Sequence, residues 1–126
     1  MDFANFTETA RSLLQAAQMA ALAGRHQHCL PEHLLKALLD DGDGLARSIV
    51  SDAGGDPDLL QAGAEERLAR LPKVNAEGPY PIYMSPELAA VLQNAAEAAH
   101  AGGDKFVTAE RLLAGLAGAL GELFQR

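Results

Sequence analysis

His26, His28, Cys29 and His33 fall within eight residues, and histidine and cysteine are the side chains zinc takes most readily. Cys29 and His33 are four apart, a spacing that sets two ligands on one helix face. Pro31, however, fits the first position of a helix and leaves Cys29 outside it. The residues 78 positions further on are Asp104, Phe106, Val107 and Arg111, so the cluster is not a repeated device and Cys29 reads as a small apolar core residue. A zinc-dependent enzyme built on these four is the weakest reading, and no metal or cofactor is expected. The other nucleophile candidates, Ser85 and Thr7, are better used as helix caps, and there is neither G-x-S-x-G nor G-x-x-x-x-G-K-[ST]. Asp40-Asp41 and Glu65-Glu66 read as solvated carboxylate pairs. Asp104 follows a glycine stop, and Glu110, like Glu32 in the first half, stands in a first helical turn where an acid is favoured by the helix dipole. No catalytic residue is expected, and the chain is read as not itself an enzyme.

The elements that must carry these residues are helices, and they occur twice. Residues 6–39 fall on 84–117 without a gap, with 11 identities in 34 positions. Leu14, Gly24, Glu32, Leu34 and Leu38 meet Leu92, Gly102, Glu110, Leu112 and Leu116 in one register. In the first half Thr7 caps a helix whose apolar residues are Ala10, Leu13, Leu14, Ala17, Ala20 and Ala21, stopped at Gly24 by the left-handed freedom of glycine. Pro31 opens a second helix with Leu34, Leu35, Leu38 and Leu39. Leu45, Ile49 and Val50 mark a third helix, and Asp56-Pro57 opens a fourth that ends at Pro72. Residues 72–84 form the linker, with Ile82 and Tyr83 as a short extended piece. Ser85-Pro86-Glu87 restarts the cycle, Thr108 caps a helix with Leu112, Leu113 and Leu116, and Leu120, Leu123 and Phe124 mark a last one. The expectation is one all-α domain over 1–126, about seven or eight helices, with repeat one at about 6–71 and repeat two at about 85–126, cut short at Arg126. Each copy has an apolar stripe that only its twin can cover.

Composition narrows the function classes. The formal net charge is −7, from 10 Lys+Arg and 17 Asp+Glu, which disfavours nucleic-acid backbones and anionic membranes as partners. No stretch approaches the roughly 20 apolar residues of a membrane span, and the N-terminus carries no secretory pattern. One cysteine makes no internal disulfide. A cytoplasmic location is the expectation.

F-T-E-T-A-R at 6–11, C-L-P-E-H-L-L-K-A-L-L-D-D at 29–41, A-R-L-P-K-V at 69–74, M-S-P-E-L at 84–88 and G-D-K-F-V-T-A-E-R-L-L at 103–113 resemble the Clp N-terminal repeat domain, most nearly that of the ClpB-type AAA+ disaggregases. The resemblance implies a compact bundle of two pseudo-symmetric four-helix repeats, monomeric in isolation and tethered above a hexameric ATPase ring in its parent. It implies binding of unfolded or aggregated polypeptide and delivery to the ring's pore. Thr7, Asp104 and Glu110 match the family's surface patch for aggregate handling. Leu88, Val91, Leu92 and Ala95 match its apolar groove along the first helix of repeat two, with Asn94, Ala98 and Arg111 departing from the larger aliphatic residues usual there. Leu30 replaces the family's usual Ser or Thr cap before P-E-H-L-L, an expected loss of about 1 kcal/mol at that helix start. The alternative from the same resemblance is an adaptor-docking domain of a ClpA- or ClpC-type protease unfoldase, or a stand-alone regulatory repeat protein.

Overall fold

Thr7 starts the first helix as its sequence position predicts: the hydroxyl accepts from the Ala10 amide at 3.1 Å, and α1 runs Glu8–Ala23. In this computed structural model, which describes residues 3–75 and 77–125, the chain continues through β1 (His28–Cys29), α2 (Pro31–Asp40), α3 (Leu45–Asp52) and α4 (Pro57–Ala69). It then passes through β2 (Tyr83–Met84), α5 (Pro86–Ala101), α6 (Ala109–Ala119) and α7 (Gly121–Phe124). The expected end of repeat two at Arg126, and Ala76 in the linker, lie outside the described residues. Repeat two shows three helices among the described residues, one fewer than the resemblance implies.

Asp56, Ser85 and Thr108 cap α4, α5 and α6 as expected, each accepting from amides of the first turn. Leu30 makes no such bond; instead His33, three residues into α2, reaches back and accepts the Leu30 amide proton on Nδ1 at 2.9 Å. This is one half of a capping box, and it offsets part of the expected loss. The stop after α1 also differs from expectation. Gly24 has φ −84°, and the left-handed residue is Arg25 at φ 58°, whose counterpart Gly103 has φ 80°. Gly24 is needed for space: a Cβ there would lie 2.7 Å from the His26 ring.

α1 packs along α2, and α5 along α6, as equivalent hairpins; α2 and α6 meet where the halves join. Leu34, Leu35, Leu112, Leu116, Leu92 and Leu123 are fully buried there, each contributing roughly 1.5–3 kcal/mol of apolar burial. The halves are also laced by backbone. β1 pairs in parallel with β2, Cys29 opposite Met84, and Phe6 makes a parallel bridge with Val107. The 78-residue shift carries Phe6 onto Met84 and Cys29 onto Val107, so each half's leading segment pairs with the other half's crossover. The extended piece expected at Ile82–Tyr83 is observed one residue later, at Tyr83–Met84.

Candidate functional site

The bridge at Val107 gathers the three polar candidates into one neighbourhood. The Thr7 amide donates to the Val107 carbonyl at 3.0 Å, and Val107 sits midway in sequence between Asp104 and Glu110. Thr7 is half-buried, its hydroxyl engaged as the cap of α1. Asp104 is exposed and accepts from Arg111 Nη2 at 2.7 Å and Nε at 3.1 Å. Glu110 is exposed in the first turn of α6 and shares a small cavity with Asp41 and Asp43. Phe106, half exposed at 51%, adds an apolar surface beside them.

His26 and His33 come together, whereas His28 is exposed and stacks obliquely on Tyr83. The His33 Nδ1 accepts from Leu30, so a neutral ring carries its proton on Nε2 and donates it to His26 Nδ1, 2.9 Å away. His26 meets the Leu68 backbone in turn. Burial, reinforced by the charge His26 would carry, pushes His33 down to about 4; burial and then Lys73 lower His26 as well. The sequence reading that this cluster is unrepeated holds for its chemistry and fails for its geometry. Arg111 and Asp104, the counterparts of His33 and His26, make the same contact as an ion pair in repeat two. Among the described residues no group of three or more His, Cys, Asp or Glu side chains is placed to hold a metal ion. Cys29 is buried, and desolvation raises its thiol to about 11.

The apolar candidates need a correction. Val91, Leu92 and Ala95 are at most 2% exposed; they face the core, not a groove. Leu88 is as deeply buried but forms the floor of an open groove of about 190 Å³ with Cys29, Phe3, Leu14, Met84 and Arg11, Gln15 and Gln18 of α1. The groove thus runs along the first helix of repeat one. The reason lies in the counterparts: Phe6, equivalent to Met84, is 2% exposed, and Leu92, equivalent to Leu14, is fully buried. The larger ring at Phe6 fills on one side what Met84 leaves open on the other. Gln18 also lines a neighbouring depression of about 520 Å³ formed by Met19, Leu22, Arg25 and residues 78–80 and 82. Met19 and Leu22 are 66% and 47% exposed. These residues escaped the sequence reading. The available signal was that Met19 and Leu22 are apolar but lie off the stripe of Ala10, Leu13, Ala17 and Ala21.

Two interlocked helical repeats, with hydroxyl-capped helices, a buried histidine pair and an open apolar groove along α1, define an all-α repeat domain. The family model described as the Clp repeat (R) N-terminal domain matches residues 5–125, and the chain belongs to that family. Chaperone protein ClpB of Rhizobium meliloti is 47% identical over 117 residues, covering 93% of this chain and 13% of that protein. Chaperone protein ClpB of Rickettsia conorii is 36% identical over 116 residues, covering 92% and 14%. The chain therefore spans about an eighth of these relatives' length. Among solved structures, the Hsp104 N-terminal domain from Candida albicans superposes with a TM-score of 0.84 at 21% identity, covering 96% of this chain and 80% of that one. The N-terminal domain of ClpD from Arabidopsis thaliana does so at 0.70 and 21% identity, covering 100% and 86%. Both show the same fold.

Proposed function

We propose that this chain works as one domain, the polypeptide-engaging N-terminal domain of a ClpB-type disaggregase, capturing unfolded or aggregated segments and passing them to a cytoplasmic, hexameric ATPase ring. The supporting observation is the trough along α1. Met19 and Leu22 are 66% and 47% exposed on the outer face of α1, and the half-buried Phe3, Leu14 and Met84 extend the same surface inward. Such a surface takes apolar side chains of a disordered chain at low affinity per contact, and six tethered copies supply avidity. Thr7, Asp104 and Glu110, with Phe106, form a second surface that we assign to aggregate handling. Their acids favour basic flanks and steer encounter. Leu88 belongs to the first site as its floor; Val91, Leu92 and Ala95 support it from within.

Fluorescence anisotropy with a reduced, alkylated and permanently unfolded polypeptide tests this. The domain is expected to bind it weakly and reversibly and to ignore the same protein folded. Leu22→Asp should weaken binding about three- to tenfold, the loss of part of one leucine's burial, with a stability loss of about 1 kcal/mol because the side chain is half-buried and an acid is unfavourable in the last turn of α1. Stoichiometric binding to one folded protein and indifference to unfolded chains would overturn the proposal in favour of adaptor docking.

A further inference from the structure

The sulfur atoms of the chain gather on one face. Met19, Cys29 and Met84 carry them, apart from Met1, which lies outside the described residues. Cys29 and Met84 stand opposite each other where β1 pairs with β2, and both line the groove along α1. Met19 lines the neighbouring depression on the same helix. Residues 85–126, which include α5, α6 and α7, contain neither methionine nor cysteine. The shift between the repeats carries Met19 onto Glu97 and Leu22 onto His100, both exposed, so the helix itself asks for nothing apolar at these positions. The three sulfurs differ in access. Met19 is 66% exposed, Met84 is half-buried and Cys29 is 2% exposed. Burial also raises the Cys29 thiol to about 11, which keeps it protonated near neutrality and slow toward oxidants. A thioether needs no deprotonation to react. Hypochlorous acid or hydrogen peroxide transfers one oxygen atom to the sulfur lone pair. The thioether is oxidised to a sulfoxide, the oxidant is reduced to chloride and a proton or to water, and no carbon–sulfur bond breaks. The sulfoxide is polar and accepts hydrogen bonds, so it holds water where the thioether took apolar contacts.

We infer that Met19, and more slowly Met84, are oxidation sites that switch the α1 surface. Oxygen transfer to their sulfurs makes the surface polar and weakens its hold on an apolar segment, and reduction of the sulfoxides restores it. The inference rests on the α1 surface being the polypeptide site and adds its regulation. Met19 answers the oxidant first because its side chain stands most open to solvent. Met84 follows, screened in part by the groove it lines. Cys29 stays reduced beneath them. An occupant lying over Met19 covers the sulfur, so capture and oxidation compete for the same side chain.

The test uses the 126-residue chain, treated with limiting hypochlorous acid, quenched, mapped by peptide mass spectrometry and titrated against the unfolded polypeptide by anisotropy. Sulfoxide is expected at Met19 before Met84, with Cys29 unmodified, and polypeptide already bound should slow the reaction at Met19. Affinity should fall at least about threefold with helix content unchanged, and methionine sulfoxide reductases should restore it. Met19→Leu keeps an apolar side chain without an oxidisable sulfur. It should bind as the parent chain does and lose clearly less affinity on oxidation, whereas Met19→Gln should bind weakly with no oxidant present. Full sulfoxidation of Met19 that leaves affinity unchanged, while Leu22→Asp still weakens binding, would overturn the switch and leave the polypeptide site standing. An equal loss on oxidation of the double variant Met19→Leu, Met84→Leu would put the effect elsewhere and overturn the switch as well. If the unoxidised chain does not bind the unfolded polypeptide, the site itself falls and the switch with it.

Discussion

The His26–His33 pair shows how a residue that invites a catalytic reading is spent on structure. Each ring nitrogen of His33 is committed, Nδ1 to the Leu30 amide and Nε2 to His26, so the helix start and the crossover are joined through one neutral imidazole. A histidine held neutral in the fold and titrating near 6.5 when unfolded binds its proton first in the unfolded chain. Its contribution is complete above pH 6.5 and is lost as the pH falls toward the value of about 4 that burial imposes on His33. Urea unfolding at pH 7 and pH 4.5 should show a loss of about 1–3 kcal/mol from this source. His33→Gln keeps an acceptor at the third helical position and has nothing to titrate, and should flatten that dependence; an unchanged slope would mean other groups carry it. The sequence showed that these residues were not a repeated metal site. It did not show that Arg111 and Asp104 repeat their contact, because spacing reports position while the partner of a side chain depends on how the crossover folds back.

Among the elements, α1 differs from its counterpart α5 in what covers it. The caps at Thr7, Asp56, Ser85 and Thr108 were legible because capping is local, a hydroxyl or carboxylate meeting an amide two or three residues away. The groove was not legible, since it depends on whether Phe6 or Met84 fills equivalent space, and the family's pattern pointed to α5 and to Val91, Leu92 and Ala95. If Phe6 closes one side by bulk, Phe6→Ala should cost about 3–5 kcal/mol through the cavity it leaves, whereas Met84→Ala, at a half-buried site already facing a groove, should cost clearly less. Thermal unfolding of the two variants measures this. Equal losses would mean that the two sides are packed alike and that the asymmetry has another cause.

For the whole molecule, the duplication organises everything else. Leu34 with Leu112 and Leu38 with Leu116 bury at one shared centre, and the crossed backbone pairs, Cys29 with Met84 and Phe6 with Val107, leave neither half a complete unit. The paired helices were read from a 78-residue self-alignment, because repeated leucines at helical spacing must find each other. The crossed pairing was not, since a two-residue strand has no periodicity. A bundle closed in this way has its interior filled by its own leucines and alanines, and the function proposed for it sits on the outside.

The most direct measurement is an amide and methyl chemical-shift titration of the isotopically labelled domain with the unfolded polypeptide. The account predicts that the progressive shifts concentrate on Arg11, Leu14, Gln18, Met19 and Leu22 of α1 and on Ile82 and Met84, with the core leucines of α2 and α6 unmoved. Saturating polypeptide that leaves the α1 face unshifted, while shifts appear elsewhere or nowhere, would contradict it.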